Sequence, residues 1–189
     1  MHRPKYSRKR RSTLRPMKKT AIVYWLLPSK PKRELFCQIV RILCDEFDAP
    51  SFEPHLTLLS TSKSRTSPAK ILRQIRSAPI RLQVRGVAFS SKFTKALFVR
   101  FKPNNVLAKL VVDLGKAAQC RAKSKADPHV SLLYQRLPTR PKKELAATIK
   151  LPFREVLFDK IAAVRCPSPT KTRAQVKAWK VLAKKSLRQ

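Results

Sequence analysis

Two of the three histidines in the chain lie in a seven-residue motif that occurs twice. The motif reads proline, histidine, an aliphatic residue, a hydroxyl residue and two leucines, and its copies are residues 54–60 (PHLTLLS) and 128–134 (PHVSLLY). Because side chains alternate between the faces of an extended strand, His55 and Thr57 point the same way, and so do His129 and Ser131. Two such strands side by side would present two imidazoles and two hydroxyls to one cleft.

This set of groups is suited to proton transfer at a phosphate. An unperturbed imidazole titrates at about pH 6.5, so one histidine can act as a general base while the other acts as a general acid. Opening a cyclic phosphodiester needs a base that activates water, an acid for the leaving sugar oxygen, and hydroxyl donors for the phosphate charge. A serine nucleophile is the weaker interpretation, because each hydroxyl lies alongside its own histidine on the same strand.

No residues are spaced as a metal or cofactor site would require. No carboxylate pair and no His, Cys and Asp cluster in the sequence suggests a metal, and its only glycines, Gly86 and Gly115, exclude a P-loop and a dinucleotide fingerprint. We therefore expect a metal-independent reaction without a cofactor. Glu53 and Asp127 precede the two Pro-His pairs and could orient the imidazoles, but acids are common before proline in turns, and that simpler interpretation is favoured.

The composition is dominated by positive charge, with 44 Lys and Arg against 10 Asp and Glu, a net charge of +34. Acids are absent from Pro54 through Val112 and again after Asp159. Such a field attracts polyanions, so an RNA or a phosphorylated ligand is favoured over a merely well-solvated surface. Residues 1–19 contain nine basic residues and no acid, which predicts a disordered basic arm that acts as a targeting signal or a nucleic-acid contact.

The cysteines indicate a reducing compartment. The chain has four cysteines, Cys37, Cys44, Cys120 and Cys166. They form no CxxC pair and have no histidine at metal-ligand spacing, so free thiols are expected. No apolar run reaches the length of a membrane span, and no signal peptide is visible. We expect a cytoplasmic monomer without membrane contact, and nuclear or organellar targeting by the basic arm stays open.

The elements that would position the two motifs follow the same order twice. Hydrophobic periodicity predicts strands at 20–27, 55–60, 79–90, 95–102, 129–134, 153–158, 160–166 and 176–183, and helices at 31–47, 68–77, 103–122 and 141–150. A strand, a long helix, a histidine strand, a short helix and further strands therefore recur. This order predicts an α+β fold, in which two facing lobes each contribute one histidine strand to a single domain over residues 20–189.

The two His-x-(Thr/Ser) stretches resemble the paired signature of the 2H phosphoesterase superfamily. From about Thr20 to Leu187 the chain is similar to its cyclic phosphodiesterase branch, in the opening residues 23–28 (VYWLLP) and the late strand with Trp179 as well. The resemblance implies a bilobal, pseudo-symmetric fold with two antiparallel sheets facing a central cleft and helices outside.

The same resemblance implies roles for six residues. His55 and His129 would be the acid/base pair, and Thr57 and Ser131 the phosphate ligands. Aromatic residues that border the base or the phosphate in this branch correspond here to Trp25 and Tyr134. Because Tyr134 is on the opposite strand parity from His129, it reaches the cleft only if the strand bends or ends there.

The expected activity is metal-independent hydrolysis of a cyclic phosphodiester to a phosphomonoester. The substrate would be a nucleoside or RNA-terminal 2′,3′-cyclic phosphate, or ADP-ribose 1″,2″-cyclic phosphate. One alternative is an RNA-end enzyme of the same superfamily that hydrolyses or forms 2′,5′ linkages. Another is a basic RNA-binding protein without turnover. The positive charge and the basic arm are not part of the family pattern, and they favour RNA over a mononucleotide alone.

Overall fold

The computed structural model describes residues 19–62, 66–122 and 127–188. Its strands are β1 (Thr20–Pro28), β2 (Leu56–Thr61), β3 (Ile80–Phe89), β4 (Leu97–Phe101), β5 (His129–Leu133), β6 (Glu155–Pro167) and β7 (Lys180–Ser186). Its helices are α1 (Lys32–Glu46), α2 (Pro68–Gln74), α3 (Asn105–Ala117), α4 (Thr139–Thr148) and α5 (Arg173–Lys177), with a 3-10 turn at Phe93–Lys95. The predicted basic arm lies outside the described residues, apart from Lys19.

The strands form one antiparallel sheet in the order β1-β2-β5-β4-β3-β6-β7, and β1 also pairs with β6. The sheet therefore closes on itself, and the two predicted sheets are joined at their edges. One lobe contains β7, β6, β1 and β2, and the other contains β5, β4 and β3. The lobes meet where β3 pairs with β6, and again where β2 pairs with β5 through the single residue pair Leu56 and Val130. The predicted α+β architecture with two histidine strands at the centre is confirmed.

The helices pack on one face of this sheet. Helix α1 buries Phe36, Val40 and Leu43, and α3 buries Leu107, Leu110 and Leu114, because their apolar residues recur at helical spacing. These side chains join the strands in one large core. A second, smaller cluster consists of Trp25, Leu27, Ala162, Val164 and Cys166. These residues alternate along β1 and β6 with residues of the main core, so they lie on the opposite face of the two strands.

Two predictions near the C-terminus are wrong. The strands expected at 153–158 and 160–166 form one continuous strand, β6, with Asp159 inside it. On one edge of β6 the pairing strand changes at Asp159. Phe158 before it pairs with Ile80 of β3, and Lys160 after it pairs with Ser186 of β7. The expected strand at 176–183 begins inside α5, and β7 starts only at Lys180.

Candidate active site

The two histidine motifs meet where β2 and β5 lie side by side. Leu56 pairs with Val130, and both side chains are buried in the main core. In an antiparallel pair, one step forward on one strand is one step back on the other, so each histidine comes next to the hydroxyl residue of the other motif. The residues flanking a core-facing pair point to the opposite face. The four predicted acid/base and phosphate residues accordingly line one pocket, and they are His55, Thr57, His129 and Ser131.

A β-bulge in β2 brings a third hydroxyl to this pocket. The register between β1 and β2 shifts by one residue, so that Trp25 pairs with Thr57 while Val23 pairs with Ser60. An extra residue in one strand reverses the alternation beyond it, and therefore Thr57 and Ser60 both face the pocket. Simple alternation places Ser60 on the other face, which is why the sequence did not indicate it.

The pocket has a volume of about 630 Å³, within the range of small-molecule sites. One wall comes from the turn before β4 and the start of β5, with Lys92, Thr94, Lys95 and Asp127. The opposite wall comes from the end of β6 and the segment that follows it, with Cys166, Pro167, Ser168, Pro169, Thr170 and Trp179. The two histidines thus lie between walls from different lobes, one cationic and one mostly apolar.

Main-chain carbonyls orient both imidazoles. His55 Nδ1 lies 2.6 Å from the carbonyl oxygen of Glu53, and His129 Nδ1 lies 2.9 Å from that of Asp127. A carbonyl oxygen only accepts, so Nδ1 is the protonated nitrogen in each contact. This tautomer makes Nε2 the nitrogen that can take up a proton. The two preceding acids therefore orient the histidines through their main chain, and not through their carboxylates.

The carboxylates of these two acids form ion pairs instead. Arg33 donates to both oxygens of Glu53, at 2.6 and 3.0 Å. Lys95 and Arg100 donate to the two oxygens of Asp127, at 2.6 and 2.9 Å. Partial burial acts to raise the pKa of Asp127, but the hydrogen bonds from the two cations outweigh it and hold that pKa below its usual range. Each ion pair fixes the turn whose carbonyl holds the histidine.

Trp25 lies against the first histidine. Its indole stacks on the imidazole of His55 with ring centroids 3.8 Å apart and an interplanar angle of 13°. Trp179 meets the edges of both rings, at 5.2 Å from Trp25 and 5.9 Å from His55. Trp25 lines the pocket, and one face of its ring is covered by the imidazole of His55, so the predicted contact with a substrate stays a prediction.

Tyr134 reaches the pocket because β5 ends at Leu133, one residue before it. Its ring stacks on Phe52 with centroids 3.7 Å apart, and its hydroxyl is hydrogen-bonded to Ser131. Burial raises the pKa of Tyr134, so its hydroxyl stays protonated. Tyr134 belongs both to the main core and to the pocket lining.

The hydroxyl of Ser131 is already engaged. It donates to the main-chain carbonyl of Thr94 at 2.9 Å, and it is buried. A serine hydroxyl carries one proton, so Ser131 donates to a phosphate only by giving up this bond. Thr57 is half-buried and lines the pocket beside His55.

Other candidate chemistry in the pocket is limited. Burial raises the pKa of the Cys166 thiol to about 12, and a neutral thiol is a poor nucleophile. Across residues 19–62, 66–122 and 127–188, no three His, Cys, Asp or Glu side chains are grouped as a metal site requires. Nor does any helix in those ranges have the length and apolar character to cross a membrane.

A family model described as cyclic phosphodiesterase-like protein matches residues 20–187. The chain belongs to this family. The membership confirms the predicted place in the 2H phosphoesterase superfamily, and the match covers both histidine motifs. No match was found among curated proteins.

Solved structures share the fold of this cyclic phosphodiesterase-like protein. The structure of E. coli LigT complexed with 3′-AMP is 16% identical, with 90% of this chain and 98% of that chain covered and a TM-score of 0.55. TT0787 of Thermus thermophilus is 18% identical, with 88% and 97% covered and a TM-score of 0.54. At these identities the likeness concerns the fold alone, and it agrees with the α+β architecture.

Several residues that line the pocket or pack against its lining were not predicted from the sequence. Lys95 is 32 residues from its partner Asp127, and only the fold brings the two together. Phe52 precedes the first motif by two residues. Its ring stacks on Tyr134, the last residue of the second motif, and so links the segment before one motif to the end of the other. Trp179 was noted only for its likeness to the family, yet its edge contacts cover the stacked pair of Trp25 and His55. An aromatic residue near a motif was a signal for Phe52; no local signal marked Lys95.

Proposed function

We propose that this protein hydrolyses cyclic phosphodiesters to phosphomonoesters without a metal ion. The observation that carries the proposal is the Leu56–Val130 register, which sets both histidines and both hydroxyls around one pocket. Two imidazoles, each with Nδ1 bound to a carbonyl, offer one Nε2 to each side of a phosphate. A binding protein without turnover would have no use for this paired arrangement.

The reaction balances with these groups alone. One histidine takes a proton from water through Nε2, and the resulting hydroxide attacks phosphorus. The bond from phosphorus to one sugar oxygen of the ring breaks, and the other histidine, in its protonated form, gives that oxygen a proton. The product is a phosphomonoester with one free hydroxyl. The histidines end with exchanged protonation states and return by proton exchange with solvent.

Thr57 and Ser131 would donate to the non-bridging oxygens during this step. Ser131 exchanges the carbonyl of Thr94 for the phosphate, while Thr57 lines the pocket on the other motif. Donors placed where negative charge develops lower the barrier more than donors that bind the ground state equally well. LigT, which shares the fold, has been crystallised with phosphate and with 3′-AMP. The second ligand is a phosphomonoester, which is the class of product proposed for this protein.

Among the expected substrates, we infer that an RNA terminal cyclic phosphate fits best. The carbonyl of Lys19 accepts a hydrogen bond from the main chain of Ser168, 2.9 Å away, and Ser168 lines the pocket. Lys19, which follows the basic residues 1–18 in the sequence, therefore lies next to the pocket lining. A polynucleotide whose end enters the pocket would pass the point where this charge is attached.

The test is an assay of the EDTA-treated protein against three substrates: 2′,3′-cyclic mononucleotides, ADP-ribose 1″,2″-cyclic phosphate, and an oligoribonucleotide with a 2′,3′-cyclic end. Products are resolved by isomer, which identifies the leaving oxygen. We expect turnover of the cyclic-ended oligonucleotide and of at least the mononucleotides. Turnover of none of the three by a folded protein contradicts the proposal, and tight RNA binding in that case indicates the non-catalytic alternative.

A control variant and two further comparisons test the mechanism and the alternatives. A variant with both His55→Ala and His129→Ala, purified in the same way, excludes a contaminating nuclease. Restoration of activity only by a divalent ion after chelation would overturn the metal-free mechanism. Cleavage of a 2′,5′-linked oligonucleotide in preference to all cyclic substrates would favour the RNA-end alternative.

A further inference from the structure

Lys95 is a half-buried cation at the catalytic pocket that the paired motifs do not explain. Its side chain is only 20% exposed, and it lines the pocket from the 3-10 turn at Phe93–Lys95. Its ammonium lies 2.6 Å from a carboxylate oxygen of Asp127 and 4.2 Å from the ring centroid of Phe98. The ring of Phe98 packs edge-on against His129 at 5.3 Å. Lys95 is therefore held beside the second histidine.

The charge of Lys95 is not cancelled by its partner. Asp127 carries one negative charge and contacts two cations, because Arg100 binds its other oxygen at 2.9 Å. The group of three carries a net charge of about +1 while Asp127 is ionised, and the lowered pKa of Asp127 keeps it so. An ammonium has three N–H donors, and the bond to Asp127 uses one of them. Of the two cations, Lys95 lines the pocket and Arg100 does not.

The same turn also takes the donor that the second motif would supply. The carbonyl of Thr94 accepts the hydroxyl proton of Ser131 at 2.9 Å, so the two motifs do not offer equivalent donors in this arrangement. Thr57 belongs to the first motif and has no such turn packed against it among the described residues. A phosphate between the two histidines would therefore lack a pre-positioned donor on the side of the second motif, unless another residue supplies one.

We propose that Lys95 is the pre-positioned donor on this side and binds a non-bridging oxygen of the reacting phosphate, to which Ser131 can donate only after it gives up its bond to Thr94. The proposal rests on the function proposed above and adds a cation to its two histidines. Asp127 and Phe98 hold the ammonium, so that little rearrangement is needed when charge develops on the phosphate. Arg100 keeps Asp127 ionised and in place while Lys95 shares its protons between Asp127 and the substrate.

The opposing explanation is that Lys95 only fixes Asp127, and through its carbonyl His129. The two explanations differ in what Arg100 does. If the role of Lys95 is to hold Asp127, then Arg100→Met, which removes the other cation on the same carboxylate, should have a similar effect. If Lys95 touches the substrate, only its own replacement should remove the contact with the phosphate.

The experiment compares Lys95→Met, Lys95→Arg and Arg100→Met, with Lys143→Met on the exposed face of α4 as a matched control. We expect Lys95→Met to lower kcat for a 2′,3′-cyclic mononucleotide about 10²-fold, as for loss of one transition-state donor. Lys95→Arg should recover part of the loss, because a guanidinium keeps the charge. Arg100→Met should lose at least tenfold less than Lys95→Met, and Lys143→Met should match the parent protein. Thermal unfolding of each variant checks that it is folded.

A binding measurement keeps the inference separate from the proposed function. Inorganic phosphate and 3′-AMP are titrated into the parent protein and each variant, and binding is followed by NMR. We expect Lys95→Met to weaken both ligands about tenfold, and this result stands even if no substrate is turned over. Activity and anion affinity within threefold of the parent protein in Lys95→Met, or equal losses in Arg100→Met, would overturn the role of Lys95.

Discussion

At the scale of single residues, main-chain carbonyls set the tautomers of both histidines, and this determines which variants should matter. The Nδ1 contacts of His55 and His129 go to the carbonyls of Glu53 and Asp127. A side-chain substitution at either acid leaves its carbonyl in the chain. The acid/base chemistry should therefore depend strongly on the imidazoles themselves and only weakly on the carboxylates beside them.

We expect His55→Ala and His129→Ala each to lower the rate of cyclic phosphate hydrolysis by about 10²–10⁴-fold, the usual effect of losing a general acid or base. The double variant should be little worse than either single variant, because the two imidazoles act in the same step. Thr57→Ala should raise the barrier by about 2–4 kcal/mol if its hydroxyl is an oxyanion donor. The measurement is steady-state hydrolysis of a 2′,3′-cyclic mononucleotide, and parent-level activity in either single histidine variant contradicts the mechanism.

Glu53→Gln provides the complementary test. The variant loses the two hydrogen bonds from Arg33 in their charged form but keeps the carbonyl that holds His55. We expect kcat to fall by less than about tenfold, well short of the loss on removing a general acid or base. A loss as large as that of His55→Ala would mean that the carboxylate, and not the carbonyl, sets the state of the imidazole.

At the scale of elements, the turn before β4 fixes the second histidine motif. Thr94 accepts from Ser131, Lys95 binds Asp127, and Phe93 packs against Tyr134 with ring centroids 6.2 Å apart. The first motif is held differently, by stacking on Trp25. The two lobes repeat the order of their strands and helices, but the supports around their histidines are not equivalent.

The ion pairs of Asp127 give this turn a pH-dependent stability. The pKa of the carboxyl is lower in the folded protein than the usual value of about 4, so its contribution is fully present above that value and is lost as the pH falls through the lowered folded-state pKa. At pH 7 we expect Asp127→Asn to reduce the free energy of unfolding by about 0.5–1 kcal/mol, the range for a partly exposed ion pair. The variant and the parent protein should converge in acid, once the pH has fallen below the lowered folded-state pKa of Asp127.

Urea unfolding at pH 7 and in acid measures the difference in the free energy of unfolding between Asp127→Asn and the parent protein. The control is Glu144→Gln on α4, whose pair with Arg140 is well exposed and should be worth only about 0.3 kcal/mol. A gap between Asp127→Asn and the parent protein that persists undiminished in acid would show that the loss comes from the altered side chain, and not from its charge.

Sequence periodicity predicted most elements but not how they join. The histidine strands, the long helices and the strands β3 and β4 were predicted because each has a clear period of two or of about 3.6 residues. Helix α5 was missed although Thr172 caps it and accepts from the main chain of Gln175, a local signal within three residues. Apolar residues at Val176 and Val181 favoured a strand there.

The remaining features depend on contacts that are distant in the sequence. The bulge that turns Ser60 into the pocket follows from the pairing of β2 with β1, and no local pattern marks it. The ion pair of Lys95 with Asp127 forms only when β4 and β5 are side by side. The motifs indicated the two histidines because the pattern that marks them is local, whereas the groups that support them come from other strands.

At the scale of the whole molecule, positive charge is the feature that shape alone does not explain. The net charge is +34, and no acid follows Asp159 along the chain. Four exposed cations are next to pocket-lining residues, along the chain or, for Lys19, through the bond from Ser168, and none has an ion pair within the described parts of the chain: Lys19, Arg165, Lys171 and Lys180. Arg165 and Lys180 are direct cross-strand neighbours. Like charges in such a pair are destabilising, and a bound polyanion would relieve this repulsion.

The charge leads to a prediction about salt. If these exposed cations and the basic residues of the arm hold RNA, the affinity for a cyclic-phosphate-ended oligonucleotide should fall steeply as the salt concentration rises. The slope of log affinity against log salt should be about −0.7 for each single-strand phosphate that is contacted. A cyclic mononucleotide carries one charge and occupies only the pocket, so its hydrolysis should respond far less. Fluorescence anisotropy of the labelled oligonucleotide across a salt series measures the slope.

Deleting residues 1–18 removes eight basic residues. This variant distinguishes the contribution of the arm to RNA binding from that of the exposed cations on the folded part of the chain. We expect the oligonucleotide slope to become shallower while mononucleotide turnover stays nearly unchanged, because Lys19 and the pocket remain in place. A full-length chain whose eight basic residues are replaced by serine is the matched control for length, and it should behave like the deletion. If the oligonucleotide binds no more tightly than the mononucleotide even at low salt, the charge does not serve RNA, and a small cyclic phosphate is the better substrate.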